Sequence, residues 1–137
     1  MRLKNIYGNL VTKNVSKYII KWDGKSRSHL QFKVKQFLKP YWRGLIVYEE
    51  FPVYGSKLKV DILNATLRIA VEVNGPQHDE FHYFHGGSPN AYLQSIGRDY
   101  QKSEWLETNG FVFVEINWDE VELLSSKFFK DKFGVTL

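Results

Sequence analysis

Two stretches near the middle of the chain alternate apolar and other residues. Lys57 to Leu63 reads K-L-K-V-D-I-L, and Leu67 to Asn74 reads L-R-I-A-V-E-V-N. A period of two predicts strands. Pairing them as an antiparallel hairpin around Asn64-Ala65-Thr66-Leu67, with Ile62 facing Ile69, sets Val60 opposite Val71 and Leu58 opposite Val73. The apolar side chains then share one face, and Lys59, Asp61, Glu72 and Asn74 take the other. A slip of one residue would mix the two faces, so the pattern itself selects this register. In it Asp61 faces Ala70 and has Glu72 as a diagonal neighbour, roughly 7–8 Å away.

On either side of the hairpin the period changes. Leu30, Val34, Phe37 and Leu38 recur at helical spacing, behind Ser26 or Ser28 as a cap and ahead of Pro40, which is expected to close the helix. Lys33, Lys35 and Lys39 fall off that stripe. Strands are expected at Lys17 to Trp22 and Leu45 to Pro52, and a turn at Tyr54-Gly55-Ser56. His78 to Ile96 reads as an irregular segment, long enough to be a functional loop. Arg98 to Thr108 reads as a helix stopped by Asn109-Gly110. Phe111 to Ile116 reads as a strand, and Val121 to Phe133 as a terminal helix. The order helix, three strands, helix, strand predicts an α/β sandwich around a mixed four-stranded sheet. The whole chain, 1–137, is expected to form one domain: a basic N-terminal arm (1–25), a core (28–116) and a C-terminal helix (121–137).

Composition narrows the class. A chain of 137 residues, 43% hydrophobic and 16% aromatic, can bury a core and does not resemble a disordered segment. No apolar run is long enough for a bilayer, and the start of the chain lacks the hydrophobic stretch of a signal peptide, so no membrane association is expected. The absence of cysteine excludes disulfides and thiolate zinc sites and suits a cytoplasmic setting. A net charge of +4 and a pI near 9.2 suit a polyanionic partner, though an ordinary lysine-rich surface has the same balance.

Candidate chemistry gathers where the two strands meet. Asp61 and Glu72 can bend towards one oxygen-loving cation with bonds of about 2.0–2.1 Å, magnesium or manganese being suited to such ligands. The backbone carbonyl of Val73 would add a third oxygen. Glu72 lies between two valines, where an unpaired charge is costly and a cation would neutralise it. His78, with an unperturbed pKa near 6.5 for its residue type, is a candidate general base or phosphate contact, and Gln77 a residue to orient water. His78, His82 and His85 leave zinc as an alternative ion. Lys102 and Lys59 are rivals for polarising the water, and Asp99 can pair with Lys102 at i, i+3 or orient His78. Glu49 and Glu50 read as a supporting acid or as solvent-facing residues. Substrate contact is expected from the basic arm (Arg2, Lys4, Lys13, Lys17, Lys21, Lys25, Arg27), from Lys33 and Arg98, and from the segment 81–90 with Tyr83 and Phe84.

These pieces, in this order, resemble the PD-(D/E)XK nuclease superfamily, and within it the very-short-patch-repair-like nucleases of phages and mobile elements. The residues that carry the resemblance are Val60-Asp61-Ile62, then Val71-Glu72-Val73-Asn74-Gly75-Pro76-Gln77-His78, then Tyr83-Phe84-His85-Gly86-Gly87. Arg98-Asp99 with Lys102, and Gly110 to Ile116, complete the set. The resemblance spans roughly 28–116. It implies an α/β/α restriction-endonuclease-like fold and a magnesium-dependent endonuclease acting on DNA in a phage or its bacterial host, as a homing or repair enzyme. It also implies a place near the metal for Gln31. Asn74 departs from it: the superfamily's usual Glu-x-Lys has lysine there, and the narrower branch commonly has aspartate. Double-strand cutting would need two active sites, hence a homodimer, or sequential nicking. Two other readings stay open from the sequence: a catalytically silent DNA-binding module on the same scaffold, and a structure-selective nuclease for branched DNA or RNA.

Overall fold

The computed structural model describes residues 1–76 and 89–137, leaving aside the side chains of 89–96, 98 and 99. Its centre is a mixed sheet of four strands: β3 (Val47–Pro52), β4 (Lys59–Asn64), β5 (Ile69–Asn74) and β6 (Val112–Asn117). They stand side by side in chain order, with β3, β4 and β5 antiparallel and β6 parallel to β5. The crossover from β5 to β6 contains helix α2 (Pro89–Thr108). Helix α1 (His29–Trp42) precedes the sheet and α3 (Ser126–Phe133) follows it. The protein is thus of the mixed α/β class. Among the described residues no helix is long and apolar enough to cross a membrane.

Two apolar clusters, one on each side, cover the sheet. Val34, Leu38 and Trp42 of α1 and Phe129 of α3 pack with Ile62, Val71, Val73, Val114 and Ile116. Trp105 and Leu106 of α2 pack with Phe51, Val60, Leu63, Ala70 and Leu3. Both faces of β5 are therefore covered, as its near-continuous apolar run requires.

Helix α1 is capped by Ser28, whose Oγ accepts from the Gln31 backbone N–H at 3.1 Å. Its buried positions are Gln31, Val34, Lys35, Leu38 and Trp42. The stripe thus differs from the expected one: Lys35 is inside, while Leu30 and Phe37 only flank the core. Pro40 does not end the helix, which continues to Trp42. Trp42, wholly buried in the core, holds that last turn in place.

Other boundaries also moved. Residues 1–25 are not a loose arm: β1 (Arg2–Lys4) and β2 (Leu10–Thr12) form a hairpin. The hairpin is fastened to α2 where the Trp105 indole N–H donates to the Lys4 carbonyl at 2.7 Å. In place of the expected strand at 17–22 there is a 3-10 turn, Ser16–Tyr18, and one bridge between Ile19 and Tyr48. Helix α2 begins at Pro89, nine residues before the expected Arg98. Proline with its fixed φ suits a first helical position, although Ser-Pro is equally a loop signal in the sequence. The C-terminal segment is split into a 3-10 turn (Trp118–Leu123) and α3, with Ser125 capping the second piece.

The β4–β5 register is offset by two residues from the expected one. Ile62 pairs with Val71, Leu63 with Ala70 and Asn64 with Ile69. The turn is a four-residue loop, Ala65 to Arg68, in which the Asn64 side chain accepts from the Leu67 N–H at 2.8 Å. An even offset by itself would leave every side chain on its face. The alternation itself breaks further along: Ile62 packs on the α1 side but Val60 on the α2 side. The break falls at Asp61, and in β3 the same change of side occurs between Glu49 and Phe51, at Glu50 with φ 53°.

Gly110, with φ 79°, turns the chain from α2 into β6, and a Cβ there would meet nothing within 4 Å. Gly110→Ala should therefore cost backbone strain alone, about 1 kcal/mol, with Gly110→Asn milder. Urea unfolding checks this, and an alanine variant as stable as the wild type would contradict it.

Candidate active site

The break in alternation at Asp61 places that side chain beside Glu72, and each carboxylate reaches across to the other's strand. The Asp61 backbone N–H donates to Glu72 Oε2, and the Val73 N–H donates to Asp61 Oδ2, both at 2.8 Å. One oxygen of each acid is thereby fixed by main chain. The second oxygen of each is held by a cationic side chain. Arg27 Nη2 lies 3.2 Å from Asp61 Oδ1, and Lys102 Nζ, from α2, lies 2.5 Å from Glu72 Oε1. Both acids are buried, at 4% and 6% exposure.

Such burial disfavours the charged forms. The Glu72 carboxyl is pushed up to about 8 from 4.5, first by burial, then by the charge of Asp61, against the opposing pull of Lys102. Two acids so placed require positive charge. Lys102 and Arg27 supply it from the protein's own side chains.

A second polar group supports the first. Gln31, wholly buried, donates through Nε2 to Glu49 Oε2 at 2.9 Å and to Glu50 Oε1 at 3.0 Å. Reversing the amide would set its oxygen against two carboxylates, so this orientation is fixed by its neighbours. Lys35, also wholly buried, donates to the carbonyls of Lys21 and Gly24 and to Glu49 Oε1 at 2.8–3.0 Å. An ammonium has three donors, and all three are used. Ser26 also donates to Glu49. Glu50 approaches Arg27 at 3.6 Å, which joins this group to Asp61.

The sequence-predicted residues divide accordingly. Asp61, Glu72, Val73 and Lys102 come together, with Val73 entering through its N–H. Gln31 supports them indirectly, through Glu50 and Arg27. Asn74 turns away and donates to Glu115 at 3.1 Å and Asn117 at 3.2 Å on β6. Lys59 does not face Glu72: it pairs opposite Pro52 and is exposed, because the two-residue offset carries it past the site. Lys33 is exposed and paired with Glu122. Lys25 is exposed, and Arg27, expected only to contact substrate, lies on Asp61. Gln77, His78, His82, Tyr83 and His85 lie outside the described residues, as do the side chains of Arg98 and Asp99.

Sequence reasoning missed Lys35 and undervalued Glu49 and Glu50. The available signal was Gln31 and Lys35 at i, i+4 in phase with Val34 and Leu38, the spacing of one buried face.

The donor set can be tested against a hard divalent ion. Among the described residues no three His, Cys, Asp or Glu side chains gather as a metal cluster. Two buried carboxylates suffice for magnesium, which commonly keeps several waters and takes one or two acids. The residues present therefore fit such an ion.

Comparison with known proteins adds little chemistry. The chain is 29% identical over 86 residues to uncharacterized protein 033L of Invertebrate iridescent virus 3. The match covers 63% of this chain and 44% of the viral protein, so it spans less than half of that relative's length. No family profile matches the chain, and no solved structure matches it.

The pH behaviour follows from Glu72. Its folded pKa is raised, so the protein without divalent metal gains protons relative to the unfolded chain between about pH 4.5 and 8. Stability in chelator should be greatest below that window and fall as pH rises through it. Glu72→Gln should remove this decline, and Lys102→Met should shift it to higher pH. Thermal melts across pH 4.5–9 check both, and an unchanged slope in Glu72→Gln would contradict the assignment.

Proposed function

We propose that this chain is a metal-dependent endonuclease that hydrolyses phosphodiester bonds of DNA, with a restriction-endonuclease-like arrangement of its α/β elements. Asp61 and Glu72 would hold magnesium, or manganese. One observation carries the reading: two buried carboxylates on adjacent strands, each fixed by a backbone N–H and each held through its other oxygen by a cationic side chain. The α1-first order, the parallel β5–β6 pair and the α2 crossover agree with that fold.

When bound, such an ion neutralises charge on the phosphate and lowers the pKa of a coordinated water. The protein's own residues do the rest. Asp61 and Glu72 present Oδ1 and Oε1, their other oxygens being committed to the backbone. Lys102 favours the ionised carboxylate while it rests on Glu72 Oε1, and would carry its positive charge to the reacting phosphate once an ion takes that oxygen. It stands in from a helix for the strand lysine replaced by Asn74. Gln31 ties Glu50 to Glu49, and Lys35 ties Glu49 to the turn at Lys21 to Gly24. Gln77 and His78 keep the roles suggested by the sequence, orienting water and exchanging its proton.

A second reading, a DNA-binding module without catalysis, is favoured by Asn74, whose amide is turned to β6 and supplies no charge to the pair.

Nicking of supercoiled plasmid with magnesium or manganese separates the two. The nuclease reading expects cleavage by the wild type and a fall of about 100-fold or more in Asp61→Asn, Glu72→Gln and Lys102→Met, the scale of losing a group acting on proton transfer. Equal cleavage by all four would remove the site. Binding without cleavage of duplex, junction, flap and RNA substrates would favour the silent module.

A further inference from the structure

We propose that Arg27 is an internal counterion that competes with a divalent ion for Asp61 and, once displaced, becomes a phosphate contact for the nucleic acid. The inference rests on the reading of Asp61 and Glu72 as a cation-binding pair and concerns how that pair is filled and emptied.

The two organic cations at the pair are held differently. Lys102 is enclosed, with 16% of its side chain exposed, and lies 2.5 Å from Glu72. Arg27 has 58% of its side chain exposed, and its contacts are long: 3.2 Å to Asp61 and 3.6 Å to Glu50. A guanidinium reaching from solvent onto a buried carboxylate gives that acid a counter-charge while costing little to withdraw. An ion at Asp61 Oδ1 would sit about 2.0–2.1 Å from that oxygen, in the space the guanidinium faces. Two positive charges cannot share it without strong repulsion. Occupancy by one therefore excludes the other.

Arg27 also stands among other cations. It lines an open cleft with Lys17, Lys21 and Lys25 on the same segment, facing Glu49 and Glu50 on β3. These four cations line one cleft, and together they would draw a phosphate backbone towards Arg27. A guanidinium presents planar paired donors that match a phosphate. The chain holding these residues is anchored from beneath by Lys35, through the carbonyls of Lys21 and Gly24. Movement of Arg27 thus needs only its side chain. In this arrangement Arg27 opposes ion binding by the free protein and assists it once DNA is present, since the phosphate offers the guanidinium a second partner.

The test is calorimetric titration with manganese at fixed pH, on wild type, Arg27→Ala, Arg27→Gln and Asp61→Asn. Arg27→Gln keeps a donor but no charge, so it tests repulsion even if the alanine variant folds poorly. Both Arg27 variants should bind manganese about tenfold more tightly than wild type, the size of a typical coupling between sites. With manganese present they should bind a duplex oligonucleotide more weakly, with a salt slope smaller by about one. Unchanged or weaker manganese affinity in both Arg27 variants, while wild type binds and Asp61→Asn does not, would overturn the competition alone. If wild type takes up no manganese, or Asp61→Asn takes it up equally, the reading of the site falls and this inference with it.

Discussion

The reciprocal contact between Asp61 and Glu72 is the constraint on which the site depends. A buried carboxylate is stable when its oxygens are satisfied, and here each acid takes one backbone N–H from the other's strand. That exchange holds the side chains in one orientation and fixes the β4–β5 pair at its end. It also leaves one oxygen per acid free of main chain, both needing positive charge. Everything around the pair can be understood as supplying or regulating that charge.

The supply comes from two directions. Lys102 arrives from α2 on one side of the sheet, and Arg27 from the turn ahead of α1. Behind Arg27, the group of Gln31, Lys35, Glu49 and Glu50 is fully engaged, apart from the Gln31 carbonyl oxygen, which is buried without a partner among the described residues. Breaking such a buried pair strands a charge and is costly, so this group works as a rigid base. The positive φ of Glu50 belongs to the same feature. A strained backbone persists where its surroundings over-determine it, and here the strain coincides with the residue that links the base to Arg27.

Much of this was legible in the chain. Period two marked β4 and β5 and set Asp61 near Glu72 as a diagonal neighbour, but the two-residue offset and the break in alternation at Asp61, which puts Val60 on the α2 side, were not visible in it. The offset was invisible because a hairpin with a two-residue change in loop length satisfies the same apolar pattern; the Asn64 side chain, by closing a longer turn, decided it. Lys35 was placed off the apolar stripe because a lysine is costly to bury, and only the carbonyls of Lys21 and Gly24 and the Glu49 carboxylate make its burial tolerable. Lys59 was lost as a candidate by the same offset. Lys102 could be ranked only by the crossover geometry that carries α2 over β5. Pro89 was read as part of a loop although its chemistry suits a helix start equally well.

The central claim is that Asp61 and Glu72 jointly bind one divalent ion. Anomalous diffraction from crystals of the protein grown with manganese tests it most directly. The account predicts one strong peak within bonding distance of Asp61 Oδ1 and Glu72 Oε1, with the Arg27 guanidinium moved off Asp61. Crystals with no anomalous peak at the two carboxylates, and Arg27 still resting on Asp61, would contradict it.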